Sequence, residues 1–379
     1  MIQYLNMIKR PRLILFVVLF VLSGLLTACS GQAFESWPGF TADSQSQTVF
    51  LAYGPHVYQL NLTNGAEIWR YPAKADAKIN FYAPPTLASA EELLVGSYHH
   101  VFYSLKPGSD LPNWSFTGAK DRFIAAALVV GDVVFAPNAD GRLYALDRSN
   151  GSLLWDFQTG HSLWSTPVVD GERLYLTSMD HHIYALDVQS GREIWRTEDL
   201  GGQIVAAPTL GSNGTLYSAI FGSKTDDPAR SSQLIAVDAA TGSVRWKLPI
   251  VGWVWSSPLL QEGVLYFGDT AGVFYAVDAE KGELLWKYQP TDPPANHSII
   301  GAPSLVGDAV LFGSKSGVLY ALSAADGRLL WEKSIGGQLY SNLTTVGDLT
   351  LLAPVNLESA VLLAVDRDGN IRWQFAPQK

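Results

Sequence analysis

Between residues 256 and 288 the apolar positions gather into four short runs. SSPLLQ (256–261), VLYFGD (264–269), VFYAVD (273–278) and ELLWKY (283–288) are punctuated by joints that each carry a Gly. Each run is about six residues long, rich in β-branched and aromatic side chains, and bounded by turn formers. That combination predicts a strand. No stretch of ten residues after residue 30 has helical spacing. Four such strands make a sheet that cannot bury both of its faces alone.

The same unit recurs along the chain. YALDRSNGSLLW (144–155) is followed by YALDVQSGREIW (184–195), LIAVDAATGSVRW (234–246), YAVDAEKGELLW (275–286) and YALSAADGRLLW (320–331). Trp69, Trp114, Trp155, Trp195, Trp246, Trp286, Trp331 and Trp373 each lie four residues after a turn residue. That residue is Gly in every repeat except the second, where Asp110 stands in. An upstream marker precedes each unit: Pro38, Pro84, Pro167, Pro208, Pro258 and Pro303, with Ala127 and Asn342 aligned to it in repeats three and eight. A period of 40 to 51 residues repeated eight times predicts an all-β chain, an eight-bladed β-propeller of four-stranded antiparallel blades over residues 36–379. Stacking blades around an axis covers the faces that one sheet leaves bare.

In this frame the repeated polar residues have structural duties. Asp147, Asp187, Asp238 and Asp278 end the third strand four residues before Gly, where a carboxylate accepts N–H groups of the turn. Asn61 and Ser323 fill the same place, Asp366 fills it in a shorter turn, and Lys106 breaks the pattern. The Trp falls on the fourth strand, placed to cover the neighbouring blade.

Composition changes the picture mainly at the N-terminus. Lys9, Arg10 and Arg12 precede the apolar run 13–26, which is short for a bilayer span of about 20 residues. A positive region, a short apolar run and small residues describe a secretory signal over 1–28. Leu26-Thr27-Ala28-Cys29 resembles a bacterial lipobox, which makes Cys29, the chain's one cysteine, the expected lipidation site. A plain N-terminal membrane anchor is the alternative. Residues 29–35 then form a short tether, and the expected location is extracytoplasmic, lipid-anchored to a bacterial membrane. Net charge is −9 without any Lys/Arg cluster, which excludes nucleic acid as an expected partner.

The phrase A-x-D-x-x-T-G-x-x-x-W is met most fully by Ala236, Asp238, Thr241, Gly242 and Trp246. On it the repeats resemble the PQQ-like, quinoprotein-type family of propellers, across essentially the whole chain after the signal. The resemblance implies either a large quinone-dependent dehydrogenase or a smaller non-enzymatic scaffold, the latter including lipid-anchored factors of outer-membrane assembly. The dehydrogenases hold their quinone between a Trp floor and two adjacent disulfide-bonded cysteines, beside a calcium site. One cysteine, spoken for by the lipobox, does not meet that demand. The expectation is therefore a protein–protein interaction scaffold, monomeric, with no catalytic residue, cofactor or metal. A quinoprotein-like enzyme or small-ligand binder at the channel mouth is the alternative. His56, His100, His181 and His182 align to hairpins of different repeats, and are expected to be exposed rather than to share a metal.

Specificity in a scaffold belongs where repetition fails. Next to the upstream marker, on what should be the strand nearest the axis, small residues dominate except for Trp37, Tyr82 and Tyr340. These come from repeats one, two and eight, which are consecutive in a closed ring. They fit either a docking arc or a plug at the seam. Trp164 and Trp255 sit at a regularly apolar position and are expected in the core, whereas Trp253 departs from the pattern. The long loop 221–233 of repeat five adds Lys224, Asp226, Asp227 and Arg230 as candidate partner contacts.

Overall fold

The computed structural model describes residues 37–222, 232–290 and 297–378. Among these residues every regular element is a strand, and eight four-stranded antiparallel sheets run in chain order from first strand to fourth. Blade 1 comprises Gly39–Asp43, Thr48–Tyr53, His56–Asn61 and Glu67–Tyr71. Blade 6 comprises Leu259–Gln261, Val264–Gly268, Phe274–Asp278 and Leu284–Tyr288, the runs expected from sequence. Blade 8 comprises Thr344–Val346, Leu349–Leu352, Leu362–Val365 and Ile371–Phe375.

First strands contact one another between blades 1 and 2, 4 and 5, and 7 and 8, and blade 8 meets blade 1 in the same way. The ring is therefore closed. Hydrogen bonds stitch the inner strands together, as from Thr86 Oγ1 to the Ala127 carbonyl (2.8 Å) and from Thr209 Oγ1 to the Pro258 carbonyl (2.6 Å). Second and third strands are nearly fully buried, and their apolar side chains form eight separate clusters, one per interface between blades. The interface between blades 8 and 1 joins Val49, Leu51 and Leu60 to Leu351, Leu362 and Phe375. It is built like the rest.

Each blade also carries one β-bulge between its third and fourth strands. Ala145 faces Trp155 and Leu146 faces Leu153, so Leu154 is the extra residue. The shift recurs in all eight blades, with Gln59 and Ser104 replacing the Ala in blades 1 and 2. A bulge re-aims the side chains around it. Here it leaves Leu153 and Leu154 both half exposed, and turns the Trp toward the next blade.

The Trp indole then docks on the next blade's turn. Trp246 Nε1 donates to the Ala279 carbonyl (3.2 Å) and Trp286 Nε1 to the Ala324 carbonyl (3.1 Å). Trp373 Nε1 donates to the Leu62 carbonyl (2.7 Å), bringing blade 8 onto blade 1 across 311 residues of sequence. The turn glycine is needed twice over. Gly282 has φ +70°, and a Cβ there would stand 2.6 Å from Trp246 Cδ2. The expected turn acceptors are in place: the Ser190 N–H reaches Asp187 Oδ1 at 2.8 Å, and Ala240 and Thr241 N–H groups each reach Asp238 Oδ1 at 2.9 Å. Asn61 accepts likewise from Thr63 and Asn64. In blade 7 the duty moves from Ser323 to Asp326, which accepts the Arg328 N–H at 3.2 Å.

Candidate functional site

One end of the ring is formed by the hairpins between second and third strands and by the connections that lead to the next blade. Each connection is pinned between two hairpins. Phe81 N–H donates to Gly54 O (2.7 Å), Tyr98 N–H to Asn80 O (2.8 Å) and Phe123 N–H to Ser97 O (3.1 Å), with similar bonds in the later blades. The residues singled out before the marker lie on these connections and not on the inner strand, which begins only after it. This corrects the expected placement.

The register of two blades also changes. The first strand of blade 2 starts at Thr86, directly after Pro85, and that of blade 8 at Thr344, directly after Leu343. In blades 4 and 6 it starts directly after Pro167 and Pro258. Pro85 and Leu343 are therefore the structural counterparts of the marker, one residue later than the sequence alignment places it. Tyr82 and Tyr340 consequently occupy the same place as Ile124, Trp164, Val205, Trp255 and Ile300. Just before them runs a buried anchor: Phe81, Phe123, Leu163, Ile204, Val254, Ile299 and Leu339. The apolar position expected in the core is thus this anchor, and Trp164 and Trp255 belong instead to a ring around the channel mouth. The extra Pro84-Pro85 in blade 2 and the absence of Pro in blade 8 hid the equivalence.

Ring size alternates. Blades 2, 4, 6 and 8 supply Tyr or Trp, and blades 3, 5 and 7 supply Ile or Val. Trp164 and Trp255 stack with centroids 6.3 Å apart although a whole blade separates them. Val205, from that intervening blade, is 5% exposed, whereas Ile124 and Ile300 remain half-buried. Phe221 packs edge-on against Trp255 (5.2 Å) and flat against Trp253 (5.4 Å). Trp253 is thereby tied to the residue that opens the long loop of blade 5. Lys224, Asp226, Asp227 and Arg230 of that loop, and Cys29, lie outside the described residues.

On the other side of the mouth, Trp37 meets Tyr340 at 5.6 Å, and the Lys315 ammonium stands 5.5 Å from the Tyr340 ring centroid. Tyr340 Oη donates to Gln338 Oε1 at 2.8 Å. Tyr82 makes different contacts, with Tyr53 (6.4 Å) and Tyr98 (5.1 Å), and the Arg122 guanidinium lies 5.6 Å from the Tyr98 centroid. Burial, and then the neighbouring Tyr53 and Tyr98, push the Tyr82 hydroxyl above the ordinary tyrosine pKa. The expected arc of Trp37, Tyr82 and Tyr340 is thus two groups: a pair at the seam and a tyrosine ladder over blades 1 to 3. The ladder escaped sequence reasoning because Tyr53 and Tyr98 come from hairpins, which that alignment did not compare.

Three carboxylates at the mouth are engaged in hydrogen bonds. Asp140, Asp180 and Asp269 accept the hydroxyls of Tyr144 (2.6 Å), Tyr184 (2.7 Å) and Tyr275 (2.8 Å), together with the backbone N–H groups of Lys120, Gly160 and Gly252 on the adjoining connections. These carboxylates tie each hairpin to the connection beside it. Among the described residues no three His, Cys, Asp or Glu side chains gather as a metal site would require. His100 is exposed and His181 and His182 are half-buried, but His56 is not exposed as expected. It is 7% accessible, with Nδ1 2.8 Å from the Pro72 carbonyl, and burial lowers its pKa.

With this geometry the chain can be set beside known proteins. A family model described as outer membrane protein assembly factor BamB matches residues 56–215 and 180–371. BamB of Legionella pneumophila (strain Paris) is 28% identical over 133 residues, covering 35% of this chain and 33% of that protein. The quinohemoprotein alcohol dehydrogenase ADH IIB of Pseudomonas putida is 37% identical over 86 residues, 20% of this chain and 12% of that one. The chain thus spans a third or less of the length of either relative. Among solved structures, BamB from Moraxella catarrhalis superposes with a TM-score of 0.67 at 19% identity, covering 82% of this chain and 91% of that one. The computationally designed Ika8 protein gives 0.69 at 13% identity, covering 90% and 96%. At these identities the two structures speak for the fold.

Proposed function

This chain belongs to the family of outer membrane protein assembly factor BamB, and on that premise we propose that it is a non-enzymatic scaffold in outer-membrane protein assembly. In this reading it is exported, anchored outside the cytoplasm through acylated Cys29, and holds a protein partner at the channel mouth. The observation that carries the proposal is the contrast between a uniform ring and a mouth whose aromatic residues differ from blade to blade. Tyr and Trp on rigid connections suit partner binding, since they offer large contact area at low entropic cost.

A second reading is favoured by the match to a quinohemoprotein dehydrogenase. The residues present do not fit a quinone with calcium. The mouth is ringed by aromatic and aliphatic side chains with Arg122 and Lys315 beside them, Asp140, Asp180 and Asp269 each accept a tyrosine hydroxyl, and the chain's one cysteine cannot form a vicinal disulfide. No step is therefore assigned to such a cofactor.

Photo-crosslinking from native membranes tests the scaffold, with a crosslinker replacing Ile300 at the mouth. Recovery of other outer-membrane assembly components is expected. Their absence, or dye reduction after loading with quinone and calcium, would overturn the proposal. Metabolic labelling with palmitate, lost in Cys29→Ala, checks the anchor.

A further inference from the structure

The two ends of the ring differ in charge as well as in shape. At the end formed by the first and third turns, every blade carries at least one carboxylate, from Asp43 in blade 1 to Asp366 in blade 8, and these outnumber the cations there, of which Lys106, Arg148 and Arg173 pair with Glu91, Glu92 and Asp170. At the mouth end, beside Asp140 of the blade 3 hairpin, whose Oδ2 accepts the Lys120 N–H (2.9 Å), the connections leading into blades 2 and 3 carry Lys74, Lys78, Lys120 and Arg122 against Asp76 and Asp121. Both of those acids also serve the backbone: Asp76 Oδ1 accepts the Lys78 N–H (2.9 Å) and Asp121 Oδ1 the Arg122 N–H (2.7 Å). Lys74, Lys78 and Lys120 are exposed. This is a local cationic patch on a chain of net charge −9.

The patch borders the tyrosine ladder. Tyr53, Tyr82, Tyr98 and Arg122 follow one another through ring contacts of 6.4, 5.1 and 5.6 Å, and all four are half-buried. The connections that bear them are held rigidly, as by Tyr98 N–H on Asn80 O and Ala139 N–H on Arg122 O. We infer that this tyrosine–cation arc of blades 1 to 3 docks an acidic polypeptide segment that carries aromatic side chains. Charge complementarity selects the acidic partner, and the acidic far end of the ring turns the same partner away from the opposite approach. Half-buried rings lining a mouth are reached by an extended chain rather than by a flat bilayer, which favours polypeptide over anionic lipid. The inference rests on the scaffold reading and names the chemistry of its partner.

The test uses the full mature chain and a random glutamate–tyrosine copolymer as probe, read by intrinsic fluorescence. Binding is expected to weaken about tenfold when salt rises from roughly 50 to 300 mM, because exposed charges are screened within a Debye length. Lys78→Glu/Lys120→Glu/Arg122→Glu should weaken it at least as much, and Tyr82→Ala about threefold. Glu262→Lys/Asp308→Lys at the far end should leave it unchanged. The charge variants alter mostly exposed positions, and unchanged thermal melting confirms their folding. Equal loss from both ends, or no binding, overturns the inference. Flotation with phosphatidylglycerol vesicles that depends on the same lysines, without copolymer binding, assigns the arc to lipid and overturns it too. Arc-dependent copolymer binding with no assembly component crosslinked would sink the scaffold reading alone. Components crosslinked at Ile300 without copolymer binding would sink the inference alone.

Discussion

The two ends of the propeller are made by the same eight repeats, yet only one of them is repetitive. At the turn end, the Asp187 and Gly191 pair, the bulge and the indole resting on the next turn recur with few exceptions. At the mouth end, equivalent positions hold Tyr82, Ile124, Trp164, Val205, Trp255, Ile300 and Tyr340. The difference teaches where each constraint comes from. A turn that must accept a neighbour's indole has one good solution, so it is copied. A side chain at the rim meets other variable rim residues rather than a repeated turn, so it is free to differ.

The comparison breaks first if the indoles are not what joins the blades. Trp246→Ala should cost about 3–5 kcal/mol in urea unfolding, the usual range for a large aromatic removed from a packed site. Trp373→Ala should cost the same; a much smaller loss would mean that the seam is held by something other than the common interface. Next comes the turn. Gly282→Ala should cost about 2–3 kcal/mol, because a Cβ meets the Trp246 ring and φ is positive. Gly307→Ala, with φ +57° and nothing within 4 Å, isolates the backbone part at about 1 kcal/mol.

At the rim, Trp164→Ala and Trp255→Ala should each cost under about 2 kcal/mol, since both are half-buried and stand outside the interface clusters. Losses equal to that of Trp246→Ala would make the mouth part of the core and abolish the distinction. The smallest effect concerns pH. The Ser190 hydroxyl and the turn N–H hold Asp187 below its ordinary carboxylate pKa, and Ser149 does the same for Asp147. A lowered folded-state pKa gives stability that is full above the unfolded value and fades as pH falls through the folded one. The stability difference between the native chain and Asp187→Asn should therefore be present at pH 7 and vanish in strong acid. A difference constant with pH would show that the charge is irrelevant to the turn.

Much of this fold is legible in the sequence. The spacing of Trp155, Trp195 and Trp246 implied blades, and the Asp–Gly phrase implied the turns that now accept those indoles. The bulge was not legible. Leu153 and Leu154 look like two strand positions on opposite faces, and only the pairing of Ala145 with Trp155 shows that one is extra. The rim was partly legible and partly misread. Tyr82 and Tyr340 stand out by sequence, but Trp164 and Trp255 read as core because the position three before the marker is apolar in repeat after repeat, and Leu163 and Val254 beside them are apolar as well. Two adjacent apolar residues do not say which one faces inward.

What the sequence determined by itself is the repeat, and with it the number of blades, the strand order and the residues that join one blade to the next. These follow from local periodicity and from contacts repeated at a fixed separation. What only the tertiary structure decided is which side chains from different blades meet: Trp164 on Trp255 across blade 5, Trp37 on Tyr340 at the seam, and Tyr82 between Tyr53 and Tyr98. Those meetings depend on ring curvature and on the exact register of each connection. A one-residue difference such as Pro84-Pro85 moves a side chain from one row to the next, and no local pattern records that shift.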